Sequence, residues 1–259
     1  MDFILIGVLG LCFGSFINVV IFRIPNNLSI ISPRSFCPKC KKPIPYYRNI
    51  PIISFILQLG QCHNCNKKIS LSYPIIEFIT CIAWLYFYTN SENPINSIFS
   101  ILTISFLIPL ACIDLKYLVF PLSLIIPLIA ISIIYSGINY YYFENIDSIY
   151  GIMISLIFFG FVYLIVLCWF KFKKTKKQPM GFGDILLIIP LSVWLGPIGI
   201  LLCIFLSSLL ALLTWGILNM LNLFSFENRM PFGPYLITAG IIIKVFNIIN
   251  LLDATFRTI

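Results

Sequence analysis

Two aspartates at the ends of apolar segments are the side chains of this sequence best placed to do chemistry. Asp114 ends one apolar segment, and Asp184 begins another, within the stretch MGFGD at 180–184. A pair of carboxyl groups at one depth, one protonated and one ionised, can activate a water molecule against a peptide carbonyl and return a proton to the leaving amine. The structural alternative is that Asp184 caps its helix and that Asp114 pairs with Lys116.

The segments that must position these aspartates are those of a membrane protein. Hydrophobic residues make up 60% of the chain and charged residues 10%, which excludes a soluble globular domain. Because lipid leaves backbone groups no other partners, we expect an all-α fold of about eight transmembrane helices. The apolar segments lie at about 3–22, 69–89, 95–113, 117–137, 149–170, 185–195, 197–221 and 232–252. The sixth is short and contains Pro190, so a count of seven stays open.

The basic residues predict the orientation of these helices. Of the 17 Lys and Arg residues, eight lie within 23–68 and five within 171–177. The positive-inside rule places both stretches in the cytoplasm and the amino terminus outside, which brings Asp114 and Asp184 to the same cytoplasmic edge of the bilayer. Topology and anionic membrane lipid thus explain the net charge of +8, and no nucleic-acid partner is expected.

Two CxxC pairs in the first basic stretch predict a metal site. Four thiolates at this spacing suit a tetrahedral structural Zn²⁺. The predicted ligands are Cys37, Cys40, Cys62 and Cys65. Disulfides are the alternative, which a reducing cytoplasm disfavours. Between the pairs, the apolar stretch IPIISFILQLG at 50–60 is too short to span a bilayer, so we expect it on the membrane face or packed under the zinc site.

Several motifs, taken together, resemble those of a known family. In chain order they are GSFINVVIFRIP (14–25), the two CxxC pairs with YRNIPIISF (47–55) between them, YPIIE (73–77), CIDLKYLVFP (112–121), MGFGD (180–184) and PFGPYL (231–236). The sequence resembles the type IV prepilin peptidases over nearly its whole length. The resemblance implies a GxGD aspartyl protease of the bacterial cytoplasmic (inner) membrane that removes the leader of prepilins and pseudopilins on the cytoplasmic side. In that family the same protein usually methylates the new amino terminus, with S-adenosylmethionine as donor.

The resemblance also implies roles for individual residues. It makes Asp114 and Asp184 the catalytic pair and the four CxxC cysteines the zinc ligands. It divides the chain into a first transmembrane helix (1–22), a cytoplasmic zinc-binding loop (23–72) and a polytopic membrane aspartyl peptidase core (73–259). The sequence departs from the family pattern at Leu186, where a lysine is common, and at Leu122, where Asp or Asn is common. Neither departure removes a catalytic carboxyl.

Glu77 and Asn18 are the candidate residues for a cofactor site. No glycine-rich nucleotide loop of the Rossmann kind precedes a helix in this sequence, so the methyl donor needs another binding mode. Glu77, beside the zinc loop, could hold the new ammonium group of the processed pilin, and Asn18 could add a hydrogen bond from the first helix. The alternatives are a salt-bridged interfacial acid for Glu77 and an interhelical contact for Asn18.

Two other functions stay open at this point. A peptidase that has lost methylation would carry the same aspartates, and only the mass of its product would distinguish it. A transporter or assembly scaffold could use Asp114 and Asp184 as ion or proton sites. That second function accounts for acids within the membrane, but it does not account for a zinc loop joined to a GxGD motif.

Overall fold

The computed structural model describes residues 1–91, 93–172, 181–221 and 230–248. Most of the basic stretch 171–177, Met180 and the end of the last apolar segment lie outside these residues. The chain divides into two compact units, Met1–Ile113 and Asp114–Ile259, and each is described by itself.

The described residues are helical, apart from turns and two isolated β-bridges. The helices are α1 (Asp2–Arg23), α2 (Ile53–Leu57), α3 (Ser72–Asn90), α4 (Pro94–Tyr117), α5 (Leu122–Phe143), α6 (Asp147–Phe172), α7 (Phe182–Met220) and α8 (Gly233–Val245), with one 3₁₀ turn at Tyr46–Arg48. Five of them, namely α1, α4, α5, α6 and α7, are long and apolar enough to cross a membrane. The predicted all-helical membrane fold is therefore confirmed, although not the count of eight spans.

Helix α7 contains the predicted sixth and seventh segments and breaks between them at Gly196. The φ of Gly196 is 73° and its ψ is −176°, a conformation that glycine adopts without strain. Leu191 and Cys203 both lie within 4 Å of the position that a Cβ would take on Gly240. Twelve residues of straight helix would separate them by about 18 Å, so the helix folds back on itself at Gly196.

Helix α8 packs along this folded α7. The Cys203 thiol contacts the Leu236 carbonyl oxygen at 3.3 Å, and the Thr214 hydroxyl donates to the Tyr235 hydroxyl at 2.7 Å. Lys244 donates to the Trp194 carbonyl oxygen at 3.0 Å. Because Trp194 ends the first half of α7, the ammonium group lies where the helix dipole favours a cation.

In the first unit, glycines bring α1 and α3 into close antiparallel contact. A Cβ on Gly10 would lie 2.9 Å from the Cα of Cys81, and a Cβ on Gly14 would lie 2.6 Å from the Cα of Glu77. Small residues at such spacing let membrane helices approach until their backbones touch. The contact fixes the register of α1 against α3, and it places Asn18 beside Tyr73 one turn further on.

We expect Gly14→Ala to destabilise the protein, because the new methyl group would overlap the backbone of α3. The expected loss is about 1–3 kcal/mol of unfolding free energy, as for other overpacked contacts. Thermal unfolding of the detergent-solubilised protein, followed by tryptophan fluorescence, measures it. Gly160→Ala in α6 is the matched control, since a Cβ there meets nothing within 4 Å. Equal melting temperatures for the two variants would contradict the proposed contact.

Candidate functional site

Asp114 and Asp184 are both buried in the second unit. Asp114 lies in the last turn of α4 and Asp184 in the first turn of α7, and their side chains are 4% and 9% exposed. Oδ2 of Asp114 and Oδ1 of Asp184 have no hydrogen-bond partner among the described residues. Buried polar atoms without a partner are rare in proteins, and each one points to strain, to an absent ligand or to catalysis.

The structure brings these two carboxyl groups together, although 69 residues separate them in the sequence. They are close enough to interact electrostatically. The backbone N–H of Gly233, at the start of α8, donates to the Asp114 carboxyl group. Three helices therefore meet at the pair, and the arrangement suits two carboxyl groups that share one water molecule.

The side chain of Phe120 packs beside the carboxyl pair and the two glycines near it. A Cβ on Gly183 would lie 2.6 Å from both Cβ and Cδ2 of Phe120. A Cβ on Gly233 would lie 2.8 Å from Phe120 Cε2 and 2.8 Å from Asp114 Oδ2. Sequence reasoning did not single out Phe120. The only available signal was its place in the motif CIDLKYLVFP, six residues after Asp114.

The four CxxC cysteines form a cluster in the first unit. Their sulfur atoms all lie within 4.8 Å of one another, and Sγ of Cys37 is 4.0 Å from Sγ of Cys65. The four are Cys37, Cys40, Cys62 and Cys65. All four thiols are free, so the disulfide alternative is wrong for this structure. Zn–S bonds of about 2.3 Å in a tetrahedron require sulfur atoms about 3.8 Å apart, which the cluster approaches.

The backbone builds the two CxxC turns in the same way. In the first, Cys37 N–H donates to the Lys42 carbonyl oxygen at 3.0 Å, and Lys41 N–H donates to the Cys37 carbonyl oxygen at 2.8 Å. Lys41 takes a left-handed conformation with φ of 59°. In the second turn, Cys62 takes the place of Cys37 and Asn66 that of Lys41. The same two backbone hydrogen bonds form, and Asn66 has the left-handed conformation. Two equivalent turns thus face one metal position.

The environment of Cys62 favours its thiolate. Burial opposes ionisation of this thiol, but hydrogen bonds from the backbone N–H groups of Asn64 and Cys65 and from neighbouring thiols outweigh burial. Together they lower the pKa of Cys62 from 9.0 to about 7. In the same turn, a backbone hydrogen bond from Lys67 lowers the pKa of Cys65, but burial and hydrogen bonds with the other three thiols outweigh it and raise that pKa to about 11. Metals bind the thiolate form of cysteine, so the cluster offers one thiolate readily, at Cys62, and a bound cation would have to displace the remaining thiol protons.

A cavity of about 620 Å³ lies beside the cysteine cluster in the first unit. Its walls come from α1, the loop between α1 and α3, α2 and the start of α3. Most of their exposed surface is apolar, with Phe55 and Tyr73 among the lining residues, and six Lys and Arg side chains also line the cavity. Asn18 and Glu77 both line it, together with Arg48. The volume falls within the range of small-molecule sites, and polar groups set in largely apolar walls are typical of them. The structure therefore brings the two predicted cofactor residues to one cavity.

Asn18 and Glu77 also hold the walls of this cavity in place. The Asn18 amide donates to the Tyr73 carbonyl oxygen at 3.1 Å, which is the interhelical contact named above as its alternative role. Oε2 of Glu77 accepts the backbone N–H of Ile52 at 2.7 Å, and the Ser15 hydroxyl is a second partner of this carboxyl group. Glu77 thus ties the loop that carries the cysteine cluster to α3, and the described residues give it no salt bridge.

The apolar stretch at 50–60 exposes its side chains. Within and just after α2, the exposed residues are Ile53, Ile56, Leu57 and Leu59. Phe55 turns inward and packs against Gly60, where a Cβ would lie 3.0 Å from its ring. Of the two alternatives, exposure favours the membrane face over packing under the cysteine cluster.

Comparisons with known proteins match two successive stretches of the chain to two profiles. Residues 8–91 match the profile of the bacterial Peptidase A24 N-terminal domain, and residues 101–216 match that of the type IV leader peptidase family. Several curated relatives carry the name prepilin leader peptidase/N-methyltransferase, and three of them are described below. The protein of Neisseria gonorrhoeae is 32% identical over 98% of this chain and 92% of its own. That of Pectobacterium carotovorum is 30% identical over 95% and 94%, and that of Legionella pneumophila 29% over 93% and 90%.

This chain belongs to the type IV leader peptidase family. With its apolar helices, membership indicates a multi-pass protein of the bacterial inner membrane. No solved structure matches the chain significantly.

Proposed function

We propose that this chain removes the leader peptide of prepilins by means of Asp114 and Asp184 and then methylates the new amino terminus. Both activities appear in the names of its relatives. The single observation that supports the assignment to these residues is the pair of buried carboxyl groups with an unpartnered oxygen on each. Prepilins are the expected substrates, and pseudopilins of the same chemistry are included in the proposal.

The carboxyl pair supplies what peptide hydrolysis needs. One ionised carboxylate takes a proton from the shared water, whose oxygen forms a bond to the scissile carbonyl carbon. The protonated partner donates to the carbonyl oxygen, and the C–N bond breaks as a proton passes to the leaving amine. The Gly233 N–H holds the Asp114 carboxyl group in one orientation while the protons move.

Eight transmembrane segments, with the amino terminus outside and the zinc loop in the cytoplasm, are the topology that we propose. The fold-back of α7 at Gly196 supports two crossings within that helix. On this topology both aspartates lie at the cytoplasmic edge of the bilayer. A prepilin carries a basic leader in the cytoplasm and an apolar helix in the bilayer, so its scissile bond reaches the same depth. Membrane lipid contacts the basic stretches and the exposed side chains of α2.

The cavity of the first unit is the proposed site of S-adenosylmethionine. When bound, that cofactor supplies an electrophilic methyl group. The apolar walls of the cavity suit the adenine ring, and Asn18 offers a polar contact from α1. Glu77 would hold the new amino group of the pilin and accept the proton that this group must lose before methylation. The hydrogen bond from Ile52 keeps the Glu77 carboxylate at the cavity wall.

A structural zinc ion is the proposed occupant of the cysteine cluster. The loop between α1 and α3 contains only one α-helix of five residues and one 3₁₀ turn, so it has little hydrophobic core of its own. Four metal–thiolate bonds can replace such a core. The zinc would thereby fix the wall that the loop contributes to the cavity.

We expect Asp114→Asn and Asp184→Asn each to abolish leader removal, because an amide can neither exchange the proton nor activate the water. The measurement is the mass of the pilin amino terminus after co-expression with a prepilin. Wild type should yield a cleaved pilin heavier by one methyl group. Asp147→Asn is the matched control, since Asp147 also begins a helix but is exposed. Cleavage that persists in both dyad variants would falsify the aspartyl mechanism, and cleavage without the methyl group would identify a peptidase-only enzyme.

Metal analysis of the purified protein should find about one zinc per chain, as expected for four thiolates. Cys37→Ser and Cys62→Ser should lose the metal, whereas Cys12→Ser, which changes an exposed cysteine of α1, should keep it. A wild type without zinc, or a zinc content independent of Cys37 and Cys62, would contradict the assignment.

Glu77→Gln separates the two roles of Glu77. The glutamine oxygen can still accept the Ile52 N–H, but the negative charge is gone. We expect the methylated fraction of pilin to fall at least about tenfold while cleavage continues, because loss of a general base commonly reduces a rate by 10²–10⁴. Glu77→Ala, which also removes the hydrogen bond, serves as the comparison. Full methylation by Glu77→Gln would mean that Glu77 only positions the loop.

A further inference from the structure

Phe120 occupies a narrow slot between two glycine backbones beside the carboxyl pair. Its atoms lie so close to Gly183 on one side and Gly233 on the other that neither position has room for a Cβ. The point where a Cβ of Gly233 would lie is 2.8 Å from Phe120 Cε2 and equally 2.8 Å from Asp114 Oδ2. The ring and the unpartnered carboxyl oxygen therefore border the same small space.

That space has to be free during hydrolysis. Oδ2 of Asp114 and Oδ1 of Asp184 have almost no contact with solvent, and neither has a partner among the described residues. A scissile peptide and a water molecule must reach both oxygens for the reaction to occur. The structure thus shows the pair in a closed arrangement, with the Phe120 ring where a group of the substrate would touch Asp114.

Phe120 is the member of the cluster that lies outside the helices. It lies in the connector 118–121 between α4 and α5, which begins with Leu118 at a positive φ of 54°. Asp114, Asp184, Gly183 and Gly233 all belong to helices. Because the Cβ of Phe120 moves with its backbone, clearing the slot requires a shift of the connector together with rotation of the ring. Such a shift disturbs less packing than displacement of a helix.

We propose that the slot between Gly183 and Gly233 is the subsite that receives the substrate backbone next to the scissile bond, and that Phe120 fills it until substrate enters. This inference rests on the proposed peptidase function. Gly183 and Gly233 then have the same role. Because neither carries a side chain, an extended peptide can lie against the backbone of both helices. Phe120 is a positioning residue, because it controls access to the carboxyl pair and takes no part in proton transfer.

The test is steric rescue. Gly183→Ala would put a methyl group 2.6 Å from the Cβ of Phe120 and force the side chain toward the carboxyl pair. We expect prepilin cleavage by this variant to fall at least tenfold. In the double variant Gly183→Ala/Phe120→Gly the clash is absent, because glycine removes the Cβ of residue 120 itself. Cleavage should then return to within about threefold of Phe120→Gly alone, as expected for residues coupled by direct contact.

Kinetics of the single variant Phe120→Ala give a second readout. Without a ring to displace, the KM for prepilin should fall at least threefold while kcat stays within about twofold, the pattern for a change that acts on binding alone. Phe120→Leu, which keeps more packing, should fall between wild type and Phe120→Ala. Thermal melting of both variants shows that the protein folds, and Phe120→Ala/Asp184→Asn must remain inactive if the aspartates carry the cleavage.

The outcomes are distinct. Rescue of Gly183→Ala together with a lowered KM in Phe120→Ala supports the subsite. A double variant Gly183→Ala/Phe120→Gly as inactive as Gly183→Ala, in a protein whose Phe120→Gly form cleaves prepilin, overturns it and leaves the peptidase function intact. An unchanged or raised KM in a folded Phe120→Ala protein also overturns it. A folded wild type that cleaves no prepilin overturns the proposed function and the subsite with it.

Discussion

Hydrocarbon offers no hydrogen bonds, so the polar groups that this chain carries into its apolar helices must find partners within the protein. Most of them do so locally. The hydroxyl groups of Thr80 and Ser132 donate to carbonyl oxygens one turn earlier in their own helices, at 2.7 and 2.8 Å. Against this background the exceptions stand out: among the described residues, the buried side-chain atoms without a partner belong to Thr103, Asp114 and Asp184. Two of the three are the acids that we propose as the catalytic pair.

Close backbone contact is the second constraint, and glycine meets it at two kinds of site. Between α1 and α3, Gly10 and Gly14 let one helix lie directly on another. At the carboxyl pair, Gly183 and Gly233 leave a gap that an aromatic ring fills. The geometry is similar, but the consequences differ. A contact between helices fixes a register, whereas a gap filled by a side chain on a connector can be emptied and filled again.

The sequence predicted those features that depend on composition or on local spacing. Acids are rare in apolar segments, so Asp114 and Asp184 were identifiable from residue types and positions alone. The sequence divided the apolar run of α7 into segments 185–195 and 197–221, but it left open whether they were separate helices. The position of Phe120 was not predictable, because it depends on three helices that meet although they lie far apart in the chain. The bond from Ile52 to Glu77 is similar: it joins a loop to a helix, and no periodicity encodes it.

The sites proposed for the two reactions lie in separate stretches of the chain. Every residue that lines the cavity lies between positions 15 and 77, whereas the carboxyl pair and its neighbours begin at Asp114. The residues proposed for the two sites do not overlap, so on this assignment selection can act on one activity without changing the other. A lineage that no longer needs methylated pilins could accumulate substitutions in the first stretch while it keeps a working protease. The order of events also follows, since the amine that the first stretch would modify does not exist until the second has released it.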